Sequence, residues 1–168
     1  MATVVQSAYV RGIGQANYQV TLTGVQSGNR VIVAISSGVT TFPGCDYFNA
    51  STTVSDGTNT YTRDWAHNPF SSVDRCSGAC YSRKATATGN VTITFTPNST
   101  SQGFNVCAYE VSGLPDTGYF DTVLWSHRGS GAYNTVGSGM LVTRGSGLLV
   151  GGECDGVNSG TVTHSISA

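Results

Sequence analysis

At 168 residues and 17.4 kDa the chain has the size of one domain, 1–168, and is long enough to bury a core without help from metals or partners. Only 10% of its residues are charged and the formal net charge is -1, which leaves no basic field for nucleic acid and no acidic one for a polycation. No apolar run approaches the roughly 18 to 20 residues of a membrane span, so none is expected.

In chain order, residues 3 to 10 (TVVQSAYV) read as a first strand, followed by a turn or bulge at Arg11-Gly12-Ile13-Gly14. Tyr18, Val20 and Leu22 alternate with Gln19, Thr21 and Thr23, the period of a half-buried second strand ending at Gly24. Ser27-Gly28-Asn29 turns the chain into RVIVAIS, whose continuous apolar run from Val31 to Ile35 predicts a central strand, in a hairpin with the strand before it. A loop from Ser36 to Val54 then carries Phe42, Tyr47 and Phe48, either a lid over one end of the core or a binding surface. Asp56-Gly57-Thr58-Asn59 makes a tight turn before TYTRDWA, where Tyr61, Arg63 and Trp65 are expected on one face.

After an irregular segment from His67 to Gly78 come the strand ACYSRKAT and the turn Gly89-Asn90. Val91, Ile93 and Phe95 alternate with Thr92, Thr94 and Thr96, and Pro97 to Gly103 turns the chain. From Phe104 to Val111 both faces are largely apolar, the mark of a strand covered on both sides. Further strands follow at Phe120–Ser126, at GLLVGGEC and at TVTHSIS, while the two Arg-Gly-Ser-Gly stretches read as glycine turns. About ten short strands and no helical period predict a single antiparallel β-sandwich, jelly-roll or immunoglobulin-like.

The chain holds no G-x-S-x-G elbow, no H-E-x-x-H and no phosphate-binding glycine loop, so no enzyme activity is expected. Cys45, Cys76, Cys80, Cys107 and Cys154 are odd in number; two disulfides and one free thiol, or five reduced thiols, both fit. His67 with Cys76 and Cys80 has zinc-type ligands but lacks a second close pair, and no metal centre is expected there. Ca²⁺ near Asp56 and Asn59 competes with the plain turn roles of Asp and Asn. Glu110, on a central strand, must be paired, hydrogen-bonded or protonated; Arg83 is one candidate partner, and an isopeptide bond made by Lys84, the sole lysine, is the sharper alternative. The recurring Thr-x-Thr pairs suit the wet face of a strand or a flat binding ladder, and Asn49, Asn90 and Asn98 head glycosylation acceptor triplets.

Val54-Ser55-Asp56-Gly57-Thr58-Asn59-Thr60-Tyr61-Thr62, Cys80-Tyr81-Ser82, Val106-Cys107-Ala108-Tyr109-Glu110-Val111-Ser112-Gly113 and Gly147-Leu148-Leu149-Val150-Gly151 resemble the turn and strand signatures of uncharacterised β-sandwich domains in large secreted bacterial surface proteins. The resemblance implies an extracellular or cell-surface structural or adhesion module, although Met1-Ala2-Thr3 opens no signal peptide. Its partners would be copies of itself or other surface proteins, added through the edge formed by Thr3, Val5 and Tyr9 of the first strand and Val162 and Ile166 of the last, head to tail in a filament rather than a closed dimer. The alternative is a carbohydrate-binding module that stacks polysaccharide on Tyr47, Phe48, Trp65 and Trp125.

Overall fold

The computed structural model describes residues 2–38, 48, 51–67, 76–98, 103–117, 123–124 and 140–141. Ten strands lie within them: β1 (Thr3–Ile13), β2 (Tyr18–Val25), β3 (Arg30–Gly38), β4 (Thr53–Ser55), β5 (Thr62–His67), β6 (Cys76–Lys84), β7 (Gly89–Thr96), β8 (Gly103–Ser112), β9 (Val123–Leu124) and β10 (Met140–Leu141). Eight of them form two antiparallel sheets, one in the order β1-β8-β3-β6-β5 and one in the order β2-β7-β4, and the short β9 and β10 pair with each other. The described residues contain no helix, hence none long and apolar enough to cross a membrane.

The alternation in β2 and β7 works as the sequence indicates. Tyr18, Val20, Leu22, Ile93 and Phe95 are buried against the five-stranded sheet, while Gln19, Thr21, Thr92 and Thr94 cover the outer face, where the Thr21 and Thr92 hydroxyls meet at 3.0 Å. The doubly apolar strands also behave as expected: β8 and β3 lie inside their sheet, and every residue of β8 from Phe104 to Val111 is buried.

The expected hairpin of the second and third strands does not form. β2 ends on β7, with Val25 opposite Gly89, whereas β3 starts between β6 and β8, with Arg30 opposite Lys84 and Val111. The linking turn is hooked to the end of β6: the Gly28 N–H donates to the Ala85 carbonyl at 2.8 Å, and the Ala85 N–H to that of Asn29 at 2.8 Å. Gly28, at φ 91, supplies the left-handed conformation the crossing needs.

A second correction concerns β5. Arg63 lies opposite Tyr81 and Trp65 opposite the next residue, Cys80, so Asp64 is an inserted residue and Arg63 and Trp65 face opposite sides of the sheet. A similar shift in β1 leaves Val5 as the extra residue between Val4, opposite Val111, and Gln6, opposite Glu110.

The space between the sheets has two chemically different ends. At one, Tyr18, Phe48, Phe95 and Phe104 pack ring against ring, with Phe95 and Phe104 edge to face at 5.0 Å and Tyr18 and Phe104 at 5.5 Å. At the other the core closes on polar side chains around Glu110.

Candidate functional site

β1 is an edge strand: β8 pairs with one side of it, and no strand among the described residues pairs with the other. Edges are normally guarded by Lys, Pro, bulges or shortness. This one is eleven residues long with neither Lys nor Pro; its guards are Arg11 and the bulge at Val5. The exposed large apolar side chains among the described residues all belong to it: Val5 at 52%, Tyr9 at 65% and Ile13 at 71%. Of the expected edge residues, Thr3, Val5 and Tyr9 belong to β1, whose second side no strand among the described residues pairs with, while Val162 and Ile166 lie outside the described residues.

The other face of β1 is anchored by a buried polar cluster. Glu110 is fully buried on the inner face of the sheet, between Gln6 and Val31 in the register. One of its carboxylate oxygens accepts from the Gln26 N–H at 2.8 Å and the Asn29 amide at 2.6 Å; the other accepts from the Gln6 amide at 2.6 Å. Burial pushes the carboxyl pKa up, but these three donors outweigh it and hold Glu110 below the ordinary carboxylate value. The Gln6 carboxamide also grips the main chain of β2, donating to the Thr23 carbonyl at 2.8 Å and accepting from the Thr23 N–H at 3.2 Å. One side chain of the edge strand therefore ties both sheets to a buried charge.

This geometry settles the alternatives for Glu110. Arg83 occupies the same row of the inner face, but Val31 lies between them and Arg83 pairs with Asp56 at 2.5 Å. Lys84 belongs to the opposite face with Arg30 and Val111, and its ammonium meets Asp116 at 2.5 Å, so the isopeptide arrangement is absent. The calcium reading of Asp56 and Asn59 gives way to the turn. One Asp56 oxygen accepts from the Thr58 N–H, the Asn59 N–H and the Asn59 amide, and the other accepts from Arg83. Burial raises the Asp56 pKa, and these donors bring it below the ordinary value.

Of the four aromatic residues of the expected stacking platform, two lie among the described residues. Phe48 is a core residue, 1% exposed and packed on Phe95 and Phe104, which removes it as a stacking surface. Trp65 is half-buried on β5, and Tyr47 and Trp125 lie outside the described residues. Among the cysteines, neither Cys80 nor Cys107 is in a disulfide. Both lie opposite Ala34, one on each side of β3, hence roughly 9 to 10 Å apart across two strand spacings and beyond disulfide reach of each other. Burial pushes the Cys107 thiol up to about 11, and burial with the neighbouring Asp64 raises Cys80 further, so both stay protonated near neutral pH. Cys45 and Cys154 lie outside the described residues, as does the side chain of Cys76. No group of three or more His, Cys, Asp or Glu side chains suited to a metal occurs among the described residues.

Sequence reasoning marked Glu110 as a buried carboxylate without identifying its partners. Gln6 carried a signal, as the polar member of the Gln6, Ala8, Val10 face, whereas Gln26 and Asn29 look like ordinary turn residues. Compared with family models, with curated proteins and with solved structures, the chain matches none.

Proposed function

We propose that the chain is a non-catalytic structural or adhesion module of the cell exterior, a β-sandwich that joins a second copy of itself through β1. The observation that carries this reading is the self-complementarity of that edge. Val5, Tyr9 and Ile13 are spaced four residues apart. Two antiparallel copies of β1 related by a two-fold axis at Tyr9 set Tyr9 against Tyr9 and Val5 against Ile13, and Arg11 then meets Ser7 rather than another Arg11. Such pairing satisfies the open backbone edge and covers the three exposed apolar side chains together. Continuation into a filament would need β1 to add to a different edge; the one in its own sheet, β5, is short, bulged and carries Arg63 and Asp64. The favoured assembly is therefore the closed dimer.

Light scattering after size exclusion tests this, with a concentration-dependent shift from monomer to dimer as the expected result. Tyr9→Lys places two ammonium groups across the axis and should return the protein to monomer with its circular dichroism unchanged. Substitution is preferred to deletion of β1, which would uncover β8 and deprive Glu110 of Gln6. A native protein that stays monomeric at the highest soluble concentration overturns the proposal.

A further inference from the structure

The three-stranded sheet is incomplete along β7. β4 pairs only with Thr94, Phe95 and Thr96, so Gly89–Thr92 has β2 on one side and, among the described residues, no strand on the other. The chain leaving β4 turns through Asp56–Asn59 and passes to β5 in the other sheet. The space left is a groove of about 250 Å³, open to solvent, between that turn, the link Ala85–Thr88 and the first half of β7.

Beside the main-chain groups on the side of β7 left unpaired among the described residues, the groove's side chains offer donors and hydroxyls rather than free carboxylates. Asp56 is already engaged on both oxygens, with three donors on one and Arg83 on the other, and its side chain is 9% exposed. Arg83 donates to Asp56 at 2.5 Å and to the Thr86 hydroxyl at a long 3.4 Å, which leaves most of its five N–H groups unspent among the described residues. The side chains of Thr88 and Asn90 accept from the Ser27 and Gly24 N–H groups at 3.2 and 3.0 Å, so the Thr88 hydroxyl proton and the Asn90 NH₂ remain available. The groove thus offers donors without a spare carboxylate, and its one ion pair sums to zero charge. A phosphate or carboxylate reaching Arg83 would lie against Asp56, whereas a neutral ring bearing hydroxyl and ring oxygens would not. The volume is at the small end for a ligand site and suits a single ring.

The geometry points to this groove as a binding site for one pyranose unit of a neutral sugar, held by hydrogen bonds from Arg83, Thr86, Thr88 and Asn90. The proposal is independent of the β1 edge, which lies on another strand, and it uses none of the aromatic side chains. A free hexose and the end unit of a glycan present the same chemistry.

The test is amide-resolved NMR of the full chain titrated separately with glucose, galactose, mannose and N-acetylglucosamine, then with a tetrasaccharide ending in the best of them. Sodium phosphate and sodium glucuronate serve as anion arms. Saturable shifts confined to the amides of Asn59, Thr86, Thr88 and Asn90 with at least one neutral sugar are expected. Equal affinity for hexose and tetrasaccharide would assign the site to a free sugar, and tighter binding of the tetrasaccharide to a glycan end; either supports the groove. Asn90→Asp keeps the acceptor for the Gly24 N–H and removes the NH₂ donor, so it should weaken binding about tenfold at unchanged thermal stability. Thr86→Ala, at an exposed residue, is the second variant should Asn90→Asp misfold, and should weaken binding several-fold. The proposal is overturned by the absence of saturable shifts in these residues, by tighter binding of phosphate or glucuronate, or by binding that neither variant alters.

Discussion

The side chain with most at stake in this molecule is Glu110. A buried carboxylate with three donors is stable as a group, but removing its charge leaves those donors facing a weaker acceptor. Glu110→Gln is expected to cost about 3 kcal/mol, read as a lower urea midpoint at neutral pH. Its pH dependence has a definite sign. The folded pKa is below the unfolded one, so the stabilisation is fully present above the ordinary carboxylate pKa and is lost as pH falls through the folded value. Asp56 is shifted the same way and acts in the same acid window. The wild-type urea midpoint should fall through that window, and Glu110→Gln should flatten the decline. An equally steep decline in the variant would mean that the acid sensitivity lies elsewhere. The thiols lead to a further expectation: iodoacetamide in native buffer should spare Cys80 and Cys107, which peptide mapping would find alkylated only after denaturation.

At the scale of elements, what could be read from the residues and what could not divide along clear physical lines. Period and burial are local, so Val91-Ile93-Phe95 announced a half-buried strand and Phe104–Val111 a covered one. The sheet to which a strand belongs is not local. A four-residue link from Val25 to Arg30 serves a hairpin or a crossing equally well, and the crossing was decided by hydrogen bonds to Ala85, far along the chain. The inserted Asp64 was equally hidden, because a bulge adds a residue without changing composition. Turn chemistry was visible: the Asp56 turn forms as expected, with its main chain closed at Asn59 and Gly57 at φ 83. No atom lies within 4 Å of a Cβ built on Gly57. Gly57→Ala should therefore lose only the left-handed backbone preference, about 1 kcal/mol in a thermal melt. The aromatic end follows a different rule: Phe95→Ala opens a void between the sheets and is expected to cost about 3 to 5 kcal/mol in a urea titration.

For the whole molecule, composition excluded more than it identified. Few charges left no field for nucleic acid to be expected, while the short alternating strands marked an all-β chain, and the two antiparallel sheets agree with the second of these. The β1 edge was partly legible, since Thr3–Val10 lacked Lys, Pro and a turn-linked partner; its apolar spacing about Tyr9 gained meaning only once the exposure of the strand was known. The groove beside β7 could not be foreseen, because it exists where β4 stops rather than where any residue begins.

The unlike ends of the core imply a direction of opening. At the ring-packed end Tyr18, Phe95 and Phe104 carry no charge through the acid range, so acid leaves their packing intact. At the other end a single proton on Glu110 loosens the grip on Gln6, Gln26 and Asn29 together. Acid should therefore unseal the protein like a purse with one clasp. Hydrogen exchange on lowering the pH, corrected for intrinsic rates, would accelerate at Gln26 and along the Gln6 half of β1 while the amides of Phe95 and Phe104 remained protected.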